Sequence, residues 1–95
     1  MNIEKSDVVC SSAGRDKGGY FFVLETDEVY AVIADGKGRR LERPKRKKLK
    51  HLRQAGKSDS RTAEKIRNGD KITNSELRRA VAQFAEQSGG KEGGM

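Results

Sequence analysis

Short apolar segments separated by turn-forming residues follow one another through the first half of the chain, and this pattern leaves few folds open. Nine of the 18 Leu, Ile, Val and Phe residues fall between Val8 and Ala34. Within this region, Tyr20–Glu25 and Val29–Ala34 are rich in aromatic and β-branched residues, which favour strands. The polar residues Thr26, Asp27 and Glu28 separate the two segments. Such segments predict antiparallel strands in hairpin succession, and hence a small barrel or sandwich.

Five strands are predicted from this pattern. A glycine-containing loop over residues 13–19 joins the first two strands. Asp35-Gly36 predicts a tight type I′ hairpin after the third, and Pro44 interrupts the chain after the fourth. The predicted strands are Asp7–Ser12, Tyr20–Glu25, Val29–Ala34, Arg39–Glu42 and Leu49–Leu52.

The C-terminal part predicts helices. Residues 73–76, Thr-Asn-Ser-Glu, form a capping box, and Leu77, Val81 and Phe84 follow at helical spacing. These residues predict a helix over Asn74–Gln87, and a shorter helix is predicted over Ser60–Arg67. The second and third strands are apolar at consecutive positions, so both of their faces need cover. We expect the apolar stripe of the longer helix to cover one of them.

The predicted fold class is therefore mainly β with one or two C-terminal helices. The predicted organisation is a barrel over residues 1–53, a basic and polar linker with room for a short helix over 54–72, a helix packed on the barrel over 73–87, and a disordered glycine-rich tail over 88–95.

Positive charge is concentrated in one stretch. Between Asp35 and Arg53 there are ten Lys or Arg and two acids, a net +8, whereas the rest of the chain has eleven basic and twelve acidic residues, a net −1. A field this concentrated attracts polyanions and releases their condensed counterions. A solvated face is the simpler alternative, but the concentration of charge favours polyanion binding.

The residue inventory argues against catalysis, cofactors and membranes. Cys10 and His51 are the single cysteine and histidine, which leaves no disulfide, no zinc ligand set and no primed nucleophile. We therefore expect no enzyme, no metal and no small-molecule substrate. The longest apolar run, Tyr20–Leu24, is too short for a membrane span or a secretory signal. One unpaired thiol then makes the cytoplasm the expected compartment.

Four segments resemble a known family. They are residues 8–23, which contain the loop Gly14-Arg15-Asp16-Lys17-Gly18; residues 33–36, Ile-Ala-Asp-Gly; residues 39–41, Arg-Arg-Leu; and residues 44–52, which contain Lys50-His51-Leu52. Together they resemble the KOW motif and the small bacterial KOW-domain proteins that are similar to KOW-type large-subunit ribosomal proteins of archaea and eukaryotes. The resemblance covers about Asp7–Leu52.

This resemblance implies a five-stranded SH3-like barrel that binds RNA. It also implies work at or near the ribosome, with ribosomal RNA as the partner and ribosomal or translation proteins as further partners. Whether such a protein is a subunit component, an assembly factor or a regulator stays open.

The charge pattern and the resemblance together predict an RNA-facing surface made of a loop pair, a basic stripe and one histidine. The alternative is a protein-interaction module that docks on an acidic transcription or translation protein. Tyr20 and Tyr30 can stack on bases where they are exposed, although strand tyrosines among apolar neighbours more often belong to the core. The predicted RNA-binding residues are the loop pair Arg15 and Lys17, the basic stripe Lys37, Arg39, Arg40, Arg43, Lys45, Arg46, Lys47, Lys48 and Lys50, and His51.

Overall fold

The computed structural model describes residues 3–12, 14 and 18–93, and for residues 88–93 it describes the backbone only. In this part of the chain, five strands are followed by two helices. The strands are β1 (Asp7–Ser11), β2 (Tyr20–Thr26), β3 (Tyr30–Ala34), β4 (Lys45–Lys48) and β5 (Leu52–Lys57), the helices are α1 (Arg61–Asn68) and α2 (Asn74–Gly93), and a 3-10 turn (Leu49–His51) joins β4 to β5. The prediction of a strand-rich fold with C-terminal helices is confirmed at this level.

The five strands form one antiparallel sheet in the order β4-β3-β2-β1-β5. The first four strands pair with their neighbours in sequence, and β5 returns to pair with β1. The two edges of the sheet are therefore β4 and β5, the two strands that the 3-10 turn connects. Within the sheet, Val8, Phe22 and Ala34 lie opposite one another on three successive strands.

The two faces of the sheet carry two separate hydrophobic clusters, as the consecutive apolar residues of β2 and β3 predict. One cluster contains Ile3, Val9, Phe21, Val23, Ala31, Ile33 and Leu52, with Leu49 packed against it. The other joins the sheet to both helices and contains Val8, Phe22, Ala34, Ala63, Ile66, Leu77 and Ala80, with Tyr20, Leu24, Leu41, Ile72, Val81 and Phe84 packed against it. The predicted contact of Leu77, Val81 and Phe84 with the sheet is thereby confirmed.

Both helices begin at polar caps. The Thr73 hydroxyl oxygen accepts from the Glu76 backbone N–H at 3.1 Å, and the Thr73 N–H donates to the Glu76 carboxylate at 2.9 Å, which confirms the capping box. The Ser60 hydroxyl oxygen accepts from the Ala63 N–H at 3.2 Å. The left-handed Gly69 then ends α1.

The end of α2 differs from the prediction. The helix continues to Gly93 instead of ending near Gln87. Residues 94 and 95 lie outside the described residues.

The first three strands lie within one residue of their predicted bounds, but the last two do not. The segment predicted as the fourth strand, Arg39–Glu42, is irregular, and β4 begins after Pro44. Leu49–His51, predicted to be strand, is a 3-10 turn, and β5 extends to Lys57 through residues predicted to be linker. Both β4 and β5 are strands because they pair with β3 and β1, and their own side chains show little apolar pattern.

The predicted type I′ turn at Asp35-Gly36 is also wrong. Such a turn needs positive φ at both central residues, and here Gly36 has a φ of 78° while Asp35 does not. The Asp35 carboxylate instead accepts the backbone N–H groups of Lys37 at 2.9 Å and Arg39 at 2.8 Å. Asp35 thus opens a longer connection, residues 35–44, which we term the 35–44 loop.

A buried carboxylate ties the start of the chain to β5. Asp7 is 2% exposed. Its two oxygens accept from the Glu4 N–H at 2.8 Å, the Gln54 side-chain amide at 2.7 Å and the Lys57 ammonium at 2.8 Å. These three hydrogen bonds offset the cost of removing the carboxylate from water. Loss of one donor would leave part of that cost uncompensated and would lower the stability of the fold.

Candidate nucleic-acid interface

All four residues of the edge strand β4 are basic: Lys45, Arg46, Lys47 and Lys48. The strand pairs with β3 on one side only. Because side chains alternate along a strand, the four cations are divided between two faces of the sheet. Lys45 and Lys47 are half-buried, and Arg46 and Lys48 are exposed.

Lys45 and Lys47 lie on the sheet face whose hydrophobic cluster contains no helix residues. Lys45 lies opposite Ile33 and Lys47 lies opposite Ala31, and both of these partners are buried in that cluster. The aliphatic stems of the two lysines can therefore extend over apolar surface while their ammonium groups reach solvent or polar partners.

Lys47 links this edge to the glycine-containing loop. Its ammonium donates to the Ser11 hydroxyl at 2.9 Å, at the end of β1. The same nitrogen lies 3.4 Å from the position that a Cβ atom on Gly14 would take. Gly14 and Lys47 of the basic stripe are therefore close neighbours.

The 3-10 turn is bonded to Ser12, directly after β1. The His51 carbonyl accepts both the backbone N–H and the hydroxyl of Ser12, each at 3.0 Å. The side chains of Lys50 and His51 are exposed. Arg15 and Lys17, the predicted loop pair, lie outside the described residues.

On the opposite face, Arg46 covers an aromatic ring. Its guanidinium carbon lies 3.9 Å from the centre of the Tyr30 ring, within the range of a cation–π contact. The pairing register of β3 and β4 explains this contact, because Arg46 lies opposite Val32 and Tyr30 is its diagonal neighbour on the same face. The sequence could place this pair only once the pairing of β3 with β4 was known.

The remaining cations of the basic stripe lie in the 35–44 loop. Lys37, Arg40 and Arg43 are exposed, and Arg39 is half-buried. Arg40 forms an ion pair with Glu42 at 3.4 Å, with both side chains more than half exposed, so the pair contributes little to stability. The stripe therefore extends from this loop, along β4, to the 3-10 turn.

The start of α2 fixes the shape of this loop. The Asn74 side chain accepts the Leu41 N–H at 2.8 Å and donates to the Glu42 carboxylate at 2.6 Å. Arg78 donates to the Gly36 carbonyl at 3.4 Å, which adds a helix cation beside the basic stripe. No pattern in the sequence links Arg78 to the loop, because the two are separated by 42 residues.

Nearby acids are held in their charged forms. Hydrogen bonds from the backbone N–H groups of Tyr30 and Val29 lower the pKa of Asp27. A hydrogen bond from the Asn74 side chain, with a smaller effect of Arg40, lowers the pKa of Glu42. These carboxylates offset part of the positive charge, but the four cations of β4 and Lys50 follow one another with no acid between them.

Among the described residues, no three His, Cys, Asp or Glu side chains converge as a metal site requires. The described helices also include none with the length and apolar character needed to span a bilayer. No protein-family model matches the chain, and no curated protein matches it. The chemistry of the surface is therefore the main guide to function.

Proposed function

We propose that this chain is an RNA-binding protein that holds the phosphate backbone on the basic stripe. The observation that carries the proposal is an edge strand made of cations alone, continued by Lys50 and by the 35–44 loop. Phosphate contacts by Lys and Arg release counterions and give affinity with little dependence on sequence.

We also propose that the sheet closes as the SH3-like barrel that the KOW resemblance implies. Two contacts support this. The 3-10 turn of three residues connects the edge strands β4 and β5, so the end of β4 must lie close to the start of β5. The hydrogen bond from the Lys47 ammonium to the Ser11 hydroxyl links β4 to β1, although these two strands are not neighbours in the sheet.

Ribosomal RNA is the partner that the resemblance favours, and the proposed role is in translation or ribosome assembly. An all-basic edge strand is also compatible with two different roles. Charged residues on an edge strand prevent unwanted pairing with other sheets, and a basic surface can also meet an acidic protein. The salt dependence of RNA binding, measured in matched variants, separates the three roles.

Single-stranded RNA affinity is measured against salt for the wild type, for Lys48→Ala/Lys50→Ala, and for the control Lys71→Ala/Arg79→Ala, which removes two exposed cations outside the stripe. If both lysines contact phosphate, the slope of log K against log salt should flatten by about 1.4, that is about 0.7 for each contact. The control should keep the wild-type slope.

Each alternative role has its own signature. Unchanged affinity and slope in Lys48→Ala/Lys50→Ala would favour edge protection and contradict RNA binding by this surface. Copurification of an acidic protein that resists nuclease treatment, together with weak RNA affinity, would favour the protein-interaction alternative.

A further inference from the structure

An exposed apolar and aromatic patch lies beside the basic stripe, at the turn between β2 and β3. Of the large apolar side chains that the structure describes, Val29 is the one that is mostly exposed, at 53%. Next to it, Tyr30 lies under the Arg46 guanidinium. A shallow depression is lined by Thr26, Asp27, Glu28, Val29, Tyr30 and Arg46.

The turn that presents this patch is fixed by hydrogen bonds. One oxygen of the Asp27 carboxylate accepts the N–H groups of Val29 and Tyr30, each at 2.8 Å, and the Asp27 N–H donates to the Tyr30 carbonyl at 2.9 Å. The Leu49 N–H donates to the Val29 carbonyl at 2.8 Å and so connects the turn to the 3-10 turn. A surface fixed in this way loses little conformational entropy when a ligand binds.

The charged residues around the patch favour different ligand groups at two neighbouring positions. Asp27 and Glu28 line the depression, and their carboxylates repel a phosphate. The exposed cations Lys48 and Lys50 lie just outside it, in a neighbouring depression that shares Glu28 and Val29 with the first. The first depression, with two carboxylates, therefore favours a planar apolar group, and the neighbouring one, where two lysines outnumber the single carboxylate of Glu28, favours an anionic group.

A nucleotide has this arrangement of groups. The Arg46 guanidinium carbon lies over the Tyr30 ring, and Arg46 is exposed and lines the depression beside it. Guanidinium planes and aromatic rings are the surfaces on which unpaired bases stack. A base inside a duplex cannot use this patch, because its faces are already covered by its neighbours.

We propose that an unpaired RNA base stacks on the Arg46–Tyr30 pair against Val29, with its phosphates on Lys48 and Lys50. This inference rests on the proposed RNA binding and adds a preference for single strands. Phosphate contacts alone would hold single-stranded and duplex RNA through the same charges.

The decisive variant is Arg46→Lys, which keeps the charge and removes the plane. Its matched control is Arg79→Lys on the exposed face of α2. Affinity is measured for a single strand and for a duplex with equal numbers of phosphates. We expect the wild type to prefer the single strand by at least about 5-fold, the lower end of what stacking one base contributes. Arg46→Lys should lose most of this preference, whereas Arg79→Lys should keep the preference, the duplex affinity and the salt slope of the wild type.

Val29→Ser is a second variant, and thermal melts verify that each variant is folded. It should weaken single-strand binding and leave duplex binding unchanged. If the wild type binds both RNAs equally with a steep salt slope, or if Arg46→Lys keeps the preference, the stacking site is refuted while RNA binding stands. If the folded wild type binds neither RNA, the proposed function fails together with the stacking site.

Discussion

Gly36→Ala tests the contact on which the shape of the 35–44 loop depends. Gly36 has a φ of 78°, where an L side chain is strained. A Cβ atom at this position would overlap the Asn74 carbonyl oxygen and would lie 2.9 Å from the Arg78 backbone nitrogen. Both of these atoms belong to the first turn of α2, so the new methyl group cannot be accommodated by a side-chain rotation.

The expected cost has two parts. The left-handed conformation costs a non-glycine residue roughly 1 kcal/mol. Separation of the loop from α2 would also weaken the part-buried hydrogen bond from the Leu41 N–H to the Asn74 side chain, at about 1 kcal/mol. The total is about 2 kcal/mol, which corresponds to a fall in Tm of about 8 °C or more for a domain of this size.

Two other glycines separate these two parts. Gly69 has the same φ of 78° with no atom near its Cβ position, so Gly69→Ala should show the strain alone, roughly 1 kcal/mol. Gly38 has neither a positive φ nor a close neighbour, so Gly38→Ala should be nearly neutral. Urea unfolding of the three variants gives the comparison. A Gly36→Ala variant no less stable than Gly69→Ala would refute the close approach of the loop to α2.

Other predictions concern the core and the pH dependence of stability. Leu77→Ala should lower the unfolding free energy by about 2–5 kcal/mol in urea melts, because Leu77 is fully buried, and Phe84→Ala should cost less because its ring is only half-buried. Hydrogen bonding, chiefly to Asp7, raises the pKa of Lys57, so its contribution is complete below about pH 10 and is lost as the pH rises further. The drop in urea midpoint above pH 10 should therefore shrink in Lys57→Met. A hydrogen bond from Lys65 lowers the pKa of Glu76, so its contribution is lost as the pH falls below about 4. Glu76→Gln keeps a capping side chain and should reduce this loss in acid unfolding, whereas an unchanged acid profile would contradict the assignment.

Local signals predicted the first three strands and both helices because the residues there determine their own structure. Glycine, the capping box and the apolar stripe act within a few residues of one another. The turn after β3 was mispredicted although its cause is also local. Asp35 is compatible with a hairpin, but its carboxylate captures the Lys37 and Arg39 N–H groups instead.

The last two strands could not be predicted because their cause is distant. All four residues of β4 are cations, and β5 contains Gln54-Ala55-Gly56-Lys57, so neither strand has an apolar period. The pairing of β4 with β3 and of β5 with β1 makes them strands. Gly56 of β5 also faces a residue that is distant in sequence, since a Cβ atom there would lie 3.1 Å from the Phe84 ring of α2.

The candidate surface was likewise predictable from the sequence only in part. Charge counting located the basic stripe, because charge is a property of composition alone. It did not show that Lys47 contacts Ser11, that Arg46 covers Tyr30, or that Arg78 joins the stripe from α2. Those contacts depend on strand register and on helix position, which the sequence does not encode locally.

Ultraviolet cross-linking of the protein to RNA in cells tests the central claim most directly. Cleavage after glutamate isolates a peptide from Arg43 to Glu64, which contains β4 and the 3-10 turn. We predict that RNA is attached to this peptide and that sequencing of the attached fragments gives ribosomal RNA. The preceding peptide, Val29 to Glu42, carries Tyr30 and the first cations of the basic stripe. The account would be contradicted if RNA were attached only outside these two peptides, or if the folded protein were recovered from cells with no attached RNA.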